Sequence, residues 1–201
     1  MFQRILGVFL LRENVFENIG QDPSATWQAA IIVGIVGTIA AISATIRATL
    51  FGLGFGALNM ALGVAESVTG DIGFRLPVLN GPVPAFLSTL AGAFVSWLVW
   101  ALVTWLIGEY VFKGDTGFAE MARIIGYAKA PQILAGLGFI PGLGWLPRLI
   151  GWGWMLIATF VGVRQGLELD NGKTILTIVV SGIIVFLVQQ FLIDPIFVAL
   201  F

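Results

Sequence analysis

The stretch "ATLFGLGFGALNMALGVAESVTGDIGFRLPVLNGPVP", residues 48–84, decides the fold of this chain. Its first half is apolar and Gly-rich, and its second half is rich in turn residues. If Ala48 to Ala65 crosses a membrane, every later segment changes sides; if it does not, each keeps its side. Membrane is the right frame because 58% of the 201 residues are hydrophobic and 10% are charged, where soluble chains carry roughly 25% charged residues. Windows free of ionisable residues run over Pro23–Ile46, Leu76–Gly108, Ala130–Pro147, Leu149–Val163 and Thr174–Ile193. A helix needs about 20 mostly apolar residues to cross roughly 30 Å of hydrocarbon. A barrel would show short alternating strands instead. The expected fold is all-α: a polytopic helical membrane protein with five transmembrane helices plus interfacial or re-entrant helices.

Lys and Arg arbitrate the topology, because cytoplasmic loops retain them. If 48–65 does not cross and the N-terminus is cytoplasmic, Arg4, Arg12, Lys113, Arg123, Lys129, Arg164 and Lys173 lie inside, against Arg47, Arg75 and Arg148 outside. If it crosses, only Arg4, Arg12, Arg75 and Arg148 remain inside. The first arrangement is preferred, and 48–65 reads as re-entrant or interfacial. The expectation is one domain over 1–201, with an interfacial N-terminal helix over 1–22 and spans at about 27–46, 84–110, 126–140, 149–166 and 174–193. The N-terminus is then cytoplasmic and the C-terminus extracytoplasmic, in a cell (inner) membrane.

Local signals place the ends. Asp22 or Ser24 of "DPSATW" can cap the first span, and Arg47 closes it. Phe2, Ile5, Leu6 and Phe9 mark one side of the N-terminal helix, which reads as lying on the bilayer. Arg12 and Glu13 cut its apolar run too short for a signal peptide. Trp97 and Trp100 suit packing inside the bundle, while Tyr110 suits an interface. Within the polar island 109–131, Phe118, Met121, Ala122 and Ile125 recur at helical spacing, predicting an amphipathic helix capped by Asp115 or Thr116 and lying in the membrane plane. The third crossing, Gly126 to Ile140, is short, at about 22 Å of α-helix.

Candidate functional residues are few. Ala158, Gly162 and Gly166 recur every four residues, a small-residue face that another helix of this chain or of a partner can approach closely. Arg123, Tyr127 and Lys129 are candidate lipid or partner contacts, with a lipid phosphate or Glu120 expected at Arg123. Gln189 and Gln190 fall within the fifth span, where amides are expected to hydrogen-bond a neighbouring helix. Glu109 and Asp194 fall at span ends, within reach of water. The chain has no His and no Cys, so zinc motifs, a Ser–His pair and disulfides are excluded. "FGLGFG" and "GLGFIPGLG" lack the Lys and Ser/Thr of a phosphate cradle. No cofactor, no metal site and no catalytic residue is expected. The near balance of ten basic and eleven acidic residues gives no nucleic-acid footprint.

Three stretches carry a resemblance: "VFENIGQDPSATWQAAIIV", "RIIGYAKAP" and "IPGLGWLPRLIGWGWMLIATFVGVRQGLEL". They resemble the bacterial branch of the Yip family, the Ypt/Rab-interacting membrane proteins, over about Val15 to Leu192. The resemblance implies a five-span Yip domain with a cytoplasmic N-terminus and no enzymatic activity. Eukaryotic relatives are associated with Rab-type GTPases and membrane shaping. This chain has neither their long N-terminal region nor their "DLYGP" motif, so Rab binding is not carried over. The expected function is a non-catalytic integral membrane protein that organises partners or bilayer, as an accessory subunit of a larger complex. Its partners would be membrane lipids and a protein partner or a second copy of the chain, with no nucleic acid. The alternative is a transporter or channel for a small solute, kept open by the broken turn Pro141–Pro147.

Overall fold

A computed structural model describes residues 1–69, 82–140, 142–193 and 196. Among them every regular element is helical: α1 (Phe2–Phe9), α2 (Glu13–Gln21), α3 (Ala25–Thr69), α4 (Pro82–Leu106), α5 (Phe118–Ala128), α6 (Trp145–Gly166) and α7 (Asn171–Val188). A π turn, Ile107–Val111, continues α4, a second, Gln189–Ile193, ends α7, and a 3-10 helix, Ala130–Phe139, follows α5. The expected loop side of Arg75, and Asp194, lie outside the described residues.

The packing is that of a protein dissolved in lipid. On α7 the buried residues are Thr174, Thr177 and Ser181, while Ile175, Leu176, Val179, Ile183, Phe186 and Leu187 face outward. Each buried hydroxyl is satisfied within the helix, as Thr177 Oγ1 donates to the Lys173 carbonyl at 2.9 Å. Small hydroxylated residues let α7 approach α4 and α6 closely, whereas its large aliphatic side chains lose nothing by meeting acyl chains. Four segments, Ala25–Arg47, Phe86–Val111, Trp145–Gly166 and Asn171–Leu192, are long and apolar enough to cross a membrane. The chain is an all-α polytopic membrane protein.

The helix expected to close at Arg47 does not stop there. α3 runs on through 48–65 to Thr69, 45 residues in all, or about 68 Å at 1.5 Å per residue. Residues 48–65 therefore continue the first span's own helix rather than forming a separate one. Arg47 cannot end a helix by charge alone, and the apolar residues beyond it have ordinary helix propensity despite their glycines. Leu50, Leu53, Leu58 and Met60 on this extension are exposed.

A second departure concerns α5. The amphipathic helix is present, but its apolar face is not laid on lipid. Met121, Ile124 and Ile125 are fully buried, and α5 contacts α2, α3, α4 and α6. A β-carbon at Gly126 would sit 2.7 Å from that of Ala29 and 3.0 Å from the Trp97 indole nitrogen, so only glycine lets the three helices meet here. Trp97 and Trp100 pack inside, and Trp97 Nε1 donates to the Ala122 carbonyl at 2.9 Å. The expected cap is also absent: α5 starts after Gly117 with no side-chain cap. Beyond Lys129 the chain tightens into the ten-residue 3-10 helix, whose rise of about 2.0 Å per residue gives roughly 20 Å rather than the 15 Å of α-helix. The stretch that looked short is lengthened by its own geometry. It packs between α3 and α6.

The N-terminal 22 residues form two helices, not one. α1 ends with Leu11 in the left-handed region, φ 54°, while Arg12 N–H reaches the Gly7 carbonyl at 3.0 Å and Leu11 N–H the Val8 carbonyl at 3.1 Å. This Schellman closure turns the chain so that Val8, Phe16 and Ile19 all bury on the bundle. Phe2, Leu6 and Leu10 remain exposed, a stripe spaced by four residues that is free to enter the headgroup region. Ile5 and Phe9, expected on that stripe, pack instead against the core.

Candidate functional site

The polar residues of the chain gather where α1 and α2 meet α5 and α6. α2 ends at Gln21, leaving unsatisfied carbonyls at its C-terminus. Arg123 of α5 answers one of them: its Nε donates to the Gly20 carbonyl at 3.0 Å, its Nη2 donates to the same oxygen, and its Nη1 donates to Thr26 Oγ1 at 3.2 Å. Its observed partners are thus a helix end and a hydroxyl, where a lipid phosphate or Glu120 was expected. Glu120 instead lies over Gly20, where a β-carbon would come 2.5 Å from its Oε1. Tyr127, one turn along α5, is fully buried and donates its hydroxyl to Gln28 Oε1 at 2.5 Å. Lys129 is buried at the junction of α5 and the 3-10 helix. Of the three residues read as lipid or partner contacts, Arg123 and Tyr127 bind other parts of the chain, because the helix that carries them is central rather than peripheral.

Outer ties complete the seam. Arg4 pairs with Asp22 at 2.6 Å and donates to Asn18 Oδ1 at 2.9 Å. Arg164 pairs with Glu13, to which Gln165 also donates at 2.8 Å, and Trp154 Nε1 donates to the Phe9 carbonyl at 3.1 Å. The small-residue face lies beneath: Ala158 is fully buried, a β-carbon at Gly162 would come 2.5 Å from Ile124 Cγ2 and 2.8 Å from Phe16 Cδ1, and one at Gly166 would meet Ile124. The helices that approach it are α5 and α2 of the same chain. Gln189 and Gln190 belong to the π turn ending α7, and each is engaged with a neighbour.

Between α2, α5 and the end of α6 opens a cleft of about 490 Å³, lined by Glu17, Asp115, Glu120, Glu168, Arg164 and Gln165 among others. Leu167, inserted against Gly108 and Gly114, holds α6's end to α4's end, and a β-carbon at Gly114 would lie 2.9 Å from its Cδ2. That anchor places Glu168, at φ 51°, on the cleft that Asp115 also lines. With Arg164 already paired to Glu13, the cleft is acidic. Among the described residues no group of three or more His, Cys, Asp or Glu is placed to hold a metal ion.

A model of the Yip1 domain matches residues 6–193. The chain belongs to the Yip1 family. No curated protein and no solved structure matches it. The Yip1 domain as matched begins within α1, so the N-terminal helices are part of the domain and not an appendage to it.

Sequence reasoning about this Yip1 domain gave Glu13, Glu17, Asp115 and Glu168 no part in a site, Asp115 being read only as a helix cap and Glu13 only as the end of an apolar run. Each stands at or near a helix end, where a charged residue is unremarkable on its own. Only the fold brings the four to one end of the bundle. Asp22 carried a better signal, being recognisable as a cap, and its geometry gives a pH prediction. The hydrogen bond from Arg4, then those from Ser24, hold the Asp22 carboxyl down to about 2, from an ordinary value near 3.8. A lowered folded value means the tie contributes fully above about pH 4 and is lost as pH falls from 4 towards 2. Amide protection in α1, relative to the intrinsic exchange rate at each pH, should therefore fall over that interval in wild type. Asp22→Asn should show the lower protection already at pH 7 and no such step.

Proposed function

We propose that this Yip1-domain protein is a non-catalytic organiser of partners or bilayer, acting as an accessory subunit of a larger membrane complex. The observation that carries the reading is the filled centre of the bundle. Tyr127, Phe16, Ile19, Met121, Ile124, Ile125 and Met155 are all fully or almost fully buried, occupying the space a solute path would need at the α1–α2 end. What the protein offers outward at that end is the acidic cleft, a surface suited to a basic segment of a partner. In this reading the chain crosses the membrane five times, the 3-10 helix with the end of α5 making the third crossing. The α1–α2 end faces the cytoplasm of a cell membrane, as the Lys and Arg balance favours.

The test is a pull-down from membranes in mild detergent, with wild type and with the Glu17→Lys, Asp115→Lys double variant. Both positions are exposed, so folding should be untouched. A stoichiometric partner retained by wild type and lost from the variant supports the proposal. Purified protein without a partner that lets a small solute into vesicles would overturn it in favour of a transporter.

A further inference from the structure

We propose that Arg47 and Arg148, at the end of the bundle away from α1 and α2, form a binding site for a phosphate group. Arg47 ends the candidate span of α3, and Arg148 lies in the first turn of α6. The two side chains converge over Gly138 of the 3-10 helix: a β-carbon there would lie 2.8 Å from Arg148 Cγ and 3.4 Å from Arg47 Nη1. A side chain at that position would have to displace Arg148. At the opposite end Arg4, Arg164 and Lys173 each have a carboxylate partner. Among the described residues, neither Arg47 nor Arg148 has a hydrogen bond or ion pair.

Two cationic side chains converging on one glycine repel, and an anion seated between them would relieve that repulsion. The start of α6 favours the same anion. Its first turn contains no acidic residue, so the positive end of this 22-residue helix adds its dipole, although Leu146 N–H is taken by the Leu143 carbonyl at 3.1 Å and Pro147 has none to give. Planar guanidinium forks match the oxygens of a phosphate, each able to give two parallel N–H···O bonds. The surroundings select the source. Trp145, Leu146, Leu149 and Trp152 around Arg148 are exposed, the aromatic and aliphatic edge that meets acyl chains below a headgroup. The phosphate is therefore that of an anionic phospholipid, with free phosphate the other carrier of the same chemistry.

The test compares wild type with the Arg47→Gln, Arg148→Gln double variant, purified in a mild non-ionic detergent. Arg12→Gln, at an exposed position of the opposite end, serves as control. Retention of phosphatidylglycerol against phosphatidylcholine is read by native mass spectrometry, and thermal unfolding is followed with each lipid and with inorganic phosphate. Wild type and the control should retain phosphatidylglycerol, and the double variant should lose it by about tenfold or more. Without lipid the variant should melt no lower than wild type, because a repulsion has been removed. Phosphatidylglycerol should raise the melting point of wild type alone. A wild-type shift with inorganic phosphate of the same size, also absent from the variant, would assign the site to free phosphate. Equal retention by all three proteins would overturn the proposal. So would a variant destabilised equally in every condition, since a group of the chain itself would then be answering the pair.

Discussion

Gly162→Leu should lower the thermal stability of the purified protein by about 3 kcal/mol, the scale of an overpacked core. A single β-carbon at this position already falls 2.5 Å from Ile124 and 2.8 Å from Phe16, and the leucine adds three more carbons with nowhere to go. α6 would have to leave α5, or α2 would have to lift away, taking Phe16 and the Arg164–Glu13 tie with it. Gly153→Leu makes the control. It stands on the same helix with nothing within 4 Å of its β-carbon, so it should change stability by no more than about 0.5 kcal/mol. Unfolding followed by circular dichroism in detergent decides between them. If Gly162→Leu kept its stability and lost only an associated subunit, the face would be a seam between chains and the packing described here would fail.

Tyr127→Ala should cost about 4 kcal/mol, because it empties the largest fully buried side chain among the described residues and leaves a cavity between helices that cannot close on it. Tyr127→Phe keeps the volume and removes only the hydrogen bond to Gln28, for about 1 kcal/mol. The ratio is the informative quantity. A tyrosine lying against lipid would give two small and similar effects, since lipid fills the space that the ring leaves. Urea or heat unfolding of the two variants beside wild type measures it.

These two residues also mark the limit of what residue order conveys. The face of Ala158, Gly162 and Gly166 was legible because four-residue spacing on a helix has one geometric meaning. Which helix would meet it was not, since Ile124 and Phe16 are remote in the chain and nothing about a glycine names its neighbour. α5 was legible as an amphipathic helix, yet an apolar face is the same whether it meets acyl chains or Trp97 and Ala29. That is why the helix was legible while the neighbours of its apolar face were not. Arg123 finds Gly20 across 103 residues, and Arg47 finds Arg148 only because the 3-10 helix brings Gly138 between them.

The sequence by itself determined the solvent and the all-helical class, though not where each helix begins and ends. Transferring a 20-residue apolar segment into hydrocarbon depends on its composition and length, and its backbone must then be satisfied within the segment. Tertiary structure alone decided which faces are core and which are surface. It placed α5 at the centre, folded the N-terminal residues into two helices over it, and gathered four separated carboxylates into one cleft. Lipid and protein interior are nearly equal as surroundings for an aliphatic side chain, so hydrophobicity cannot choose between them; shape, close approach at glycine, and the few polar groups that need each other make that choice.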